Sequence, residues 1–509
     1  PKWVHDAKDL QARTLRVGVP MRGITFDSML AAYLLEPGEA GYDLDALSER
    51  YLGVNLLERA AEEPDEGQLA LGEDQTWRRT AAEAAAVALL VPTLQERTRR
   101  AGVERLLAEV ELPLATVLGK MQAAGVALDV PYLEQMSDRV GDRMRALEEA
   151  IYTHAGEEFN LNSPPQLRVV LYDKLRLTPG KRTKTGFSTD ADTLEKLRHA
   201  HPIVDALLRF RELSKLKSTY LDALPPLVAA DGRIHTTFNQ VAAATGRLSS
   251  VNPNLQNIPV RGELGRQIRK AFVAEPGRTL LVADYSQIEL RILAHLSGDE
   301  ALAEAFAADA DIHAATAAKV FGLPLDQVDP ELRRRAKMVN YGLAYGMNAY
   351  GLAQRLGIAP DEAGEFIEAY FAGFPRVREF LDRQVGMAAV EGFTATILGR
   401  RRYLPELQSP NPRIRDLGRR MALNAPIQGS AADIIKLAMI AVDEGIAGRP
   451  ATMVLTVHDE LVLEVDEGAL DDVAAAVRGR MESAYRLSVP LRVDVGSGRT
   501  WADAAPAGH

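Results

Sequence analysis

The segment Met453-Val-Leu-Thr-Val-His-Asp-Glu-Leu-Val-Leu-Glu-Val465 decides the fold class. It consists of two apolar, β-branched runs that are separated only by His458-Asp459-Glu460. Two such runs joined by so short a polar segment are typical of neighbouring antiparallel strands in a hairpin. The sequence therefore predicts an antiparallel sheet with polar residues at the tip of one hairpin.

Two further strand signals lie on either side of this hairpin in the chain. Leu280-Leu-Val-Ala283 reads as a buried strand that stops at Asp284, and Leu491-Arg-Val-Asp-Val495 alternates cleanly. Between the first of these strands and the hairpin, residues 299–385 and a long segment around 424–441 have helical apolar spacing. We therefore expect an α+β architecture in which helices are inserted between the strands of one antiparallel sheet.

The chain before residue 233 has a different texture. Residues 1–105 mix short apolar runs with acidic loops and include an alanine-rich stretch, 81–90, that predicts a buried helix in an α/β unit lacking its start. Residues 106–220 have mostly helical spacing and predict a helical arm. Within the arm, the Gly, Lys and Thr-rich segment 178–189 predicts a mobile loop.

Length and composition exclude several classes of function. The chain has 509 residues, which suggests three or four domains at about 150 residues each. It has no cysteine, so disulfides, zinc thiolates, iron–sulfur clusters and a cysteine nucleophile are excluded. Its longest apolar runs, such as 84–91, are shorter than the about 18 residues that span a bilayer, so we expect a soluble protein. Because the first residue is Pro1, we also expect the chain to be a fragment.

The formal net charge is −10, which argues weakly against a polyanionic partner, but the charges are unevenly distributed. Acidic residues gather at 58–66 and 73–74, whereas basic clusters recur later in the chain. Taken singly, each basic cluster could be a solvated helix face; taken together, they could line one groove. The clusters are Arg209-Arg211-Lys215-Lys217, Arg261-Arg266-Arg269-Lys270, Arg333-Arg334-Arg335-Lys337 and Arg400-Arg401-Arg402.

Asp284 and Asp459 each sit where an apolar strand meets polar sequence. If their strands are neighbours, two carboxylates converge at one sheet edge, where they must share a proton or hold a divalent metal. Oxygen ligands without thiolates favour magnesium. Two magnesium ions at such a pair could support in-line phosphoryl transfer. The alternative is a hairpin-turn aspartate and a helix N-cap aspartate that hold no metal.

A second constellation runs through Arg333, Lys337, Tyr341 and Tyr345. Their spacing of four residues places them on one slowly winding stripe of a helix. Two cations followed by two aromatic rings suit a ligand with phosphates at one end and a planar base at the other. An amphipathic surface helix with buried tyrosines remains the alternative.

Three segments resemble the signature motifs of the bacterial DNA polymerase I family, family A. They are Asp284-Tyr-Ser-Gln-Ile-Glu-Leu-Arg291, the stripe from Arg333 to Tyr345, and Val457-His-Asp-Glu460. Further segments follow in the order expected of the family. These are Lys215-Leu-Lys-Ser-Thr-Tyr220, Ala244-Thr-Gly-Arg-Leu-Ser-Ser250, Asn254-Leu-Gln-Asn-Ile-Pro-Val-Arg261 and Gln428-Gly-Ser-Ala-Ala-Asp433. The resemblance covers essentially the whole chain and is weakest before residue 105.

The resemblance implies a right-hand polymerase fold, with an antiparallel palm sheet and helical fingers and thumb. Residues 1–105 would be a partial, vestigial 3′–5′ exonuclease-like α/β domain, and 106–235 the thumb. The palm would be formed by 236–290 and 391–509, and the fingers by 291–390. The implied activity is template-directed DNA synthesis in replication and repair, by a monomer in the cytoplasm near the nucleoid, without a membrane partner.

The same resemblance assigns roles at the reacting end of the substrate. Asp284 and Asp459 would hold two Mg²⁺ ions, helped by the backbone carbonyl of Tyr285, while the primer 3′-hydroxyl attacks the α-phosphate of a deoxynucleoside triphosphate. Among the nucleotide-binding residues, Tyr341 would stack on the incoming base and Glu289 would crowd a ribose 2′-hydroxyl. The implied nucleotide-binding set is Arg333, Lys337, Tyr341, Tyr345, Glu289, His313 and Gln287.

Primer-template DNA is the implied macromolecular partner. Arg247, Gln428 and His458 would face the primer end, where donors contact minor-groove acceptors that every base pair presents. A second set would hold the DNA backbone through charge and hydrogen bonds. That set is Lys215, Lys217, Asn254, Gln256, Asn257 and Arg261.

Two departures from the family pattern carry expectations of their own. The family's third proofreading motif, Tyr-x-x-x-Asp, reads Thr80-Ala-Ala-Glu-Ala84 here, and the first motif would precede Pro1. With only Asp9 as a plausible surviving carboxylate, we expect no 3′ to 5′ exonuclease activity. Tyr341 stands where many family members carry phenylalanine, so we expect easy incorporation of dideoxynucleotides.

Three other classes of protein share some of these features. A single-subunit RNA polymerase shares the motifs, but Glu289 would obstruct ribonucleotides. A metal-dependent nuclease could use the same aspartate pair, but it would not need the stripe from Arg333 to Tyr345. A noncatalytic nucleic-acid clamp would keep the basic clusters and bind DNA normally after loss of Asp459.

Overall fold

The computed structural model of the protein describes residues 1–39, 41–54, 76–259 and 262–506. The acidic stretches at 58–66 and 73–74 and the predicted DNA-binding residue Arg261 lie outside the described residues.

The N-terminal segment is a small α/β unit. Its two strands pair in parallel, which requires the crossover that the first helix provides. Its core is separate from that of the large sheet described below and includes Leu30, Tyr33, Leu90 and Leu94. The elements are β1 (Lys2–Val4), α1 (Ala7–Arg16), β2 (Ile24–Asp27), α2 (Ser28–Leu35), α3 (Leu44–Leu52) and α4 (Thr76–Ala101).

A helical arm follows, as the apolar spacing predicts. It has its own small core around Leu171 and Leu207, and π-helical turns at Leu107–Glu111, Val169–Lys174 and Lys217–Leu221 extend three of its helices. The predicted loop 178–189 contains a short hairpin. The elements are α5 (Glu104–Leu106), α6 (Leu112–Ala124), β3 (Val126–Leu128), α7 (Val130–Ala155), α8 (Pro164–Arg168), β4 (Arg182–Thr183), β5 (Gly186–Phe187), α9 (Ala191–Lys196) and α10 (Pro202–Leu216).

A short, mostly extended region leads from the arm into the first strand of the large sheet. β3 of the arm pairs with two short strands of this region, Arg233–Ile234 and Phe272–Val273, which ties the base of the arm to the sheet region. The elements are β6 (Arg233–Ile234), β7 (Thr237–Asn239), β8 (Ser249–Val251), α11 (Glu263–Arg269), β9 (Phe272–Val273) and β10 (Arg278–Tyr285).

Seven helices are then inserted before the chain returns towards the sheet, which agrees with the helical spacing of 299–385. Aspartate caps fix where three of them start, because the side chains of Asp299, Asp311 and Asp329 accept hydrogen bonds from first-turn amides of the helices that follow them. The helices are α12 (Ile288–Ser297), α13 (Glu300–Ala307), α14 (Ile312–Phe321), α15 (Pro330–Ala344), α16 (Ala349–Leu356), α17 (Pro360–Gly373) and α18 (Pro375–Glu391).

The last part of the chain completes the sheet. The predicted hairpin is present, and the predicted final strand is displaced, since it begins at Val493 and ends at Gly498. The elements are β11 (Phe393–Ala395), β12 (Arg401–Tyr403), α19 (Pro412–Gly445), β13 (Ala451–Val457), β14 (Glu460–Asp466), α20 (Leu470–Glu482) and β15 (Val493–Gly498).

The large sheet has four strands in the order β13-β14-β10-β15, and every neighbouring pair is antiparallel. It lies at the centre of the main core, which includes Leu281, Val282, Val462 and Leu463. Helices inserted into one antiparallel sheet are therefore the observed architecture, as the strand and helix signals predict.

By length and composition alone, α19 could cross a membrane, which the short apolar runs of the sequence do not indicate. Within the fold, 78% of its most apolar window is buried, so other parts of this protein already cover most of those side chains.

Four charged side chains form a buried ion cluster where α19 meets the arm and the N-terminal segment. Glu111 contacts both Arg400 and Lys436, and Arg400 also pairs with Asp433 at 2.8 Å. Burial raises the pKa of Glu111, but the charges of Lys436 and Arg400 outweigh it and hold that pKa at about 2. The Arg400 guanidinium also lies 6.0 Å from the ring centre of Tyr33 in the N-terminal segment.

Candidate active site

The two predicted carboxylates lie at the same edge of the large sheet. Asp284 is directly opposite Glu460 in the pairing of β10 with β14, and Asp459 is at the tip between β13 and β14. The backbone N–H of Tyr285 donates to the carbonyl oxygen of Asp459 at 3.3 Å. The predicted convergence of distant aspartates at one sheet edge is therefore present.

More carboxylates share this edge than the sequence reasoning identified. Asp284 is opposite Asp494 on β15 as well as Glu460 on β14. Directly opposed residues of antiparallel strands place their side chains on the same face of the sheet, so these three carboxylates form a row across three strands. The alternation of 491–495 places Asp494 on one face of a strand, but only the register shows that it faces Asp284.

Two non-glycine residues with left-handed backbone flank the carboxylates. Gln287 has φ 55° at the start of α12, and His458 has φ 54° at the hairpin tip. Such conformations are sparsely populated outside glycine, asparagine and aspartate, and they gather where a tight turn must aim a side chain. Both turns open onto the same cleft as Asp284 and Asp459.

That cleft brings together most of the predicted nucleotide-binding residues. It has a volume of about 980 Å³ and separates the sheet edge from α14 and α15. The carboxylates line one wall and the cationic stripe lines the other. Its lining includes Asp284, Tyr285, Gln287, Glu289, His313, Arg333, Lys337, Tyr341, His458 and Asp459.

The cationic stripe lies on α15, as its spacing predicts. At its N-terminal end, the Nε atom of Arg333 is 2.5 Å from a carboxylate oxygen of Asp311, the N-cap of α14. Further along the stripe, the ring centre of Tyr341 is 5.8 Å from that of His313. Burial raises the pKa of Tyr341 to about 12, so its hydroxyl stays protonated at neutral pH.

His313 is held in a neutral form. Its Nδ1 atom lies 3.1 Å from the side-chain nitrogen of Asn340, which can only donate, so Nδ1 accepts and the proton is on Nε2. Burial, and to a lesser extent the nearby Lys337 charge, lower the pKa of His313 to about 4. An uncharged imidazole with one donor therefore faces the cleft.

Tyr345 and Glu289 connect the end of the stripe to the sheet region. The hydroxyl of Tyr345 donates to one oxygen of the buried Glu289 carboxylate, and Arg247 donates to the other at 2.6 Å. Glu289 is only 5% exposed, so both bonds are needed to satisfy a buried charge. Tyr345 and Arg247 lie on different elements that Glu289 holds together.

Most of the predicted DNA-binding residues that the structure describes line two neighbouring grooves, and two of them do not. Lys215, Asn254 and Asn257 line a groove of about 600 Å³ that shares Gly262 with the main cleft. Arg247, Gln256, His458 and Asp459 line a small pocket beside it. Lys217 instead pairs with Asp222 at 2.7 Å. Gln428 is half-buried on α19 and lines neither of these grooves nor the main cleft.

The site residues fit hard divalent cations. Asp284, Asp459 and the carbonyl of Tyr285 offer oxygen donors, and magnesium typically binds through one or two carboxylates together with substrate phosphates. Within the described residues there is no group of three or more His, Asp or Glu side chains that could hold a metal ion by themselves. The donor set therefore fits an ion that needs substrate oxygens to complete its coordination.

Arg269 and Trp501 lie beside the carboxylates, and sequence reasoning did not assign either of them a role. The guanidinium carbon of Arg269, on α11, is 4.1 Å from the ring centre of Trp501. The indole Nε1–H of Trp501 donates to a Glu460 carboxylate oxygen at 2.6 Å. No pattern in the sequence indicates this contact, because Trp501 is far from both residues along the chain.

The N-terminal segment lacks a comparable carboxylate arrangement among its described residues. Asp9 is half-exposed and pairs with Arg13 at 2.6 Å. The buried Asp27 accepts hydrogen bonds from the backbone of Ala7, Met29 and Leu30, so its oxygens serve the local fold. Residues 80–84 lie on α4.

The comparisons with known proteins agree with the motifs. The sequence profile of DNA polymerase family A matches residues 130–503, and that of the ribonuclease H-like domain of DNA polymerase I matches residues 1–58. DNA polymerase I of Mycobacterium tuberculosis is 50% identical over 519 aligned positions, which cover 99% of this chain and 56% of that protein. The thermostable DNA polymerase I of Thermus filiformis is 50% identical over 501 positions, covering 98% of this chain and 57% of that protein.

A solved structure has the same fold. It is described as the POL domain of Pol1 from M. smegmatis in complex with DNA primer-template and dNTP, and it is 48% identical with a TM-score of 0.92. The match covers 99% of this chain and 87% of that one, whereas this chain spans little more than half the length of the curated relatives. The predicted fold class, α+β with a partial N-terminal α/β exonuclease-like unit, is confirmed. The chain belongs to DNA polymerase family A.

Proposed function

We propose that this protein is a template-directed DNA polymerase that adds deoxynucleotides to a primer 3′-hydroxyl, in replication and repair. The observation that carries the proposal is the cleft in which Asp284 and Asp459 face the cationic stripe of Arg333 and Lys337. A sheet edge that binds cations opposite a helix that binds phosphates is the arrangement that phosphoryl transfer requires.

Asp284, Asp459 and the Tyr285 carbonyl would hold two Mg²⁺ ions at the sheet edge. When bound, these ions would lower the pKa of the primer 3′-hydroxyl and offset the charge on the departing pyrophosphate. Asp284 is held by the pairing of β10 with β14, and Asp459 directly precedes Glu460, the first paired residue of β14. Their role is to keep the attacking hydroxyl and the α-phosphate in line.

The triphosphate would lie along α15. Arg333 offers a planar fork of donors, Lys337 a compact charge, and neutral His313 a single Nε2–H donor. Because the folded-state pKa of His313 is about 4, its contribution as a neutral donor does not change between pH 6 and pH 8. These residues lie on α14 and α15, so closure of these two helices over the sheet would assemble the site.

The base and sugar of the incoming nucleotide would meet Tyr341 and Glu289. Tyr341 offers a ring face for stacking, and Tyr345 would guard the template side of the new pair. Glu289 would crowd a ribose 2′-hydroxyl and so select deoxynucleotides. The bonds of Glu289 to Arg247 and Tyr345 support this role, because they hold its carboxylate rigidly at the wall of the cleft.

The primer-template would enter by the two grooves beside the cleft. Arg247, Gln428 and His458 would contact the minor groove near the primer end, and Lys215, Lys217, Asn254, Gln256, Asn257 and Arg261 would hold the backbone. In this proposal residues 106–235 are the thumb, 236–290 and 391–509 the palm, and 291–390 the fingers. The protein would act as a cytoplasmic, nucleoid-associated monomer without a membrane partner.

We propose further that this chain does not proofread. Two catalytic metals need a cluster of carboxylates, whereas residues 80–84 contain only Glu83, and Asp9 is paired with Arg13. The partial α/β unit would then serve as a structural support of the polymerase.

Primer extension with four deoxynucleotides and magnesium tests the proposal. Asp284→Asn and Asp459→Asn keep side-chain size but remove the charges that hold the cations, so we expect extension to fall by orders of magnitude while primer-template affinity survives. Without nucleotides, the wild-type protein should leave the primer intact. A wild-type protein that only shortens the primer would be a nuclease, and one that binds DNA without any chemistry would be a clamp.

A further inference from the structure

The row of carboxylates at the sheet edge has an electrostatic cost. Asp284, Glu460 and Asp494 are directly opposite one another on three neighbouring strands, and Asp459 is next to Glu460. Like charges directly opposite in a sheet are destabilising unless another charge compensates them. Bound cations can do this, but the edge must also keep its shape before they bind.

Arg269 is a buried cation that can compensate the charge of these carboxylates. It is 5% exposed, it extends from α11, and it lines the same cleft as the four carboxylates. Its guanidinium stacks on Trp501, which is fully buried and donates to Glu460. The Arg269 guanidinium thus contacts the ring of Trp501, and the Nε1–H of that same ring holds the Glu460 carboxylate.

The surroundings of Arg269 favour an electrostatic role over a simple packing role. Burial lowers the pKa of its guanidinium, whereas the charges of Glu460 and Asp284 raise it, so both carboxylates act on this cation. Two of its donors, Nε and Nη2, have no hydrogen-bond partner among the described residues. A packing role alone would not require a charged side chain with buried, unsatisfied donors.

The cations on the opposite wall of the cleft do not compensate the carboxylates in place of Arg269. Arg333 and Lys337 lie there on α15, where they are assigned to the triphosphate, and Arg333 is paired with Asp311. Arg266, one turn before Arg269 on α11, also lines the cleft but is exposed to solvent. Charge that is exposed is screened by water and salt, so Arg269 has the stronger effect on the sheet edge.

We propose that Arg269 is a positioning residue that, with Trp501, holds the Glu460 and Asp284 edge in shape and sets how tightly this edge binds divalent cations. The inference rests on the proposed polymerase function for its purpose, but its first test, the binding of Mn²⁺ alone, does not. It has two separable parts. The charge of Arg269 competes with a bound cation and weakens its binding, and the stack and the Trp501 hydrogen bond orient the carboxylates.

The affinity of the protein for Mn²⁺ alone, measured by electron paramagnetic resonance of the free ion, tests the first part. Arg269→Met keeps the length of the side chain and its contact with Trp501 but removes the charge. Removing one unit charge beside a divalent ion, at water-like screening, should tighten Mn²⁺ binding by about three- to tenfold. Arg269→Lys keeps the charge and should bind Mn²⁺ within about twofold of wild type.

Arg266→Met is the matched control, because it removes the same charge from the same helix at an exposed position of the same cleft. We expect its Mn²⁺ affinity to change by less than about twofold. Trp501→Phe tests the second part, since it keeps a ring under Arg269 but removes the donor to Glu460. Its Mn²⁺ affinity should not tighten, whereas its turnover number in primer extension should fall with little change in the KM for nucleotide.

Two results would overturn the proposal. One is an Arg269→Met protein, folded as judged by circular dichroism, whose Mn²⁺ affinity is unchanged or weaker. If that variant does not fold, the other is a Trp501→Phe protein with the turnover number of wild type. Both differ from a failure of the polymerase proposal, in which the wild-type protein itself would not extend a primer.

Discussion

Tyr341 brings a hydroxyl group into a wall of the cleft. With its pKa raised to about 12 by burial, this hydroxyl is a hydrogen-bond donor throughout the working pH range. It can take over the hydrogen bond that a missing sugar 3′-hydroxyl would have made. We therefore expect dideoxynucleotides to be incorporated readily, and Tyr341→Phe to lower their use relative to deoxynucleotides by at least about tenfold, a difference near 1.4 kcal/mol.

The ratio of kcat/KM values for the two substrates measures this effect. A ratio that does not change between wild type and Tyr341→Phe would count against the role of the hydroxyl. Tyr345→Phe is a useful comparison, because it removes a hydroxyl that is bonded to Glu289 and not available to the sugar. It should affect both substrates alike.

The positions of single site residues could be predicted from the sequence where a local pattern marks them. Asp284 and Asp459 stand at the ends of apolar runs, so strand signals alone place them at a sheet edge. Asp494 lies within an alternating strand, and its place in the carboxylate row depends on the register with β10. Arg269 looks like any member of a basic cluster, because its burial results from packing against Trp501 and not from its neighbours in the chain.

At the scale of elements, α14 and α15 are linked through Asp311, which caps one helix and pairs with Arg333 on the other. Burial raises the pKa of Asp311, but its bonds to Arg333 and to backbone amides outweigh this and bring it below the usual value. In the proposed function, Arg333 would leave this partner to bind a phosphate. We expect Asp311→Asn to lower the KM for nucleotide by about two- to fivefold, since exposed ion pairs of this kind contribute about 0.2–1 kcal/mol.

Asparagine is as good an N-cap as aspartate, so α14 should keep its start and its stability in this variant. Asp329→Asn is the matched control, because Asp329 caps α15 through Leu332 and forms no ion pair within the described residues. Steady-state kinetics of single-nucleotide addition would compare the two. A KM that falls equally in both variants would indicate a general effect of charge and not release of Arg333.

Elements with strong apolar periodicity were predicted correctly, but the residues at which they begin and end were not. The hairpin of β13 and β14 and the long helix α19 follow from apolar spacing alone. The final strand was predicted over 491–495, but it begins at Val493 because its partner β10 ends at Tyr285, which pairs with Val493. Alternation shows that a strand exists, whereas the length of the paired part depends on a neighbour that is distant in sequence.

At the scale of the whole molecule, the buried ion cluster joins parts of the chain that the sequence presents as separate. Glu111 lies at the base of the arm, and its partners Arg400 and Lys436 lie after the inserted helices. Removing one member of a buried ion cluster leaves its partners uncompensated, so we expect Glu111→Gln to lower the free energy of unfolding by about 3–5 kcal/mol. Chemical denaturation at neutral pH measures this loss.

The exposed pair of Glu109 and Arg105, next to Glu111 on the same stretch of helix, provides the control. Glu109→Gln should change the free energy of unfolding by less than about 0.5 kcal/mol. Equal losses of unfolding free energy in the two variants would show that the buried cluster stabilises the fold no more than an exposed ion pair does. This cluster was not predictable, because no local pattern marks a glutamate whose cations follow 289 and 325 residues later.

Because Trp501 stacks on Arg269 beside the carboxylates, its intrinsic fluorescence can report on this sheet edge. Of its three tryptophans, Trp3 and Trp77 are 48% and 58% exposed, and only Trp501 is fully buried. Replacing the two exposed indoles by phenylalanine would leave one tryptophan, which is hydrogen-bonded to a carboxylate of this sheet edge. Its emission would then report, without any attached dye, each time a cation or a primer end arrives there.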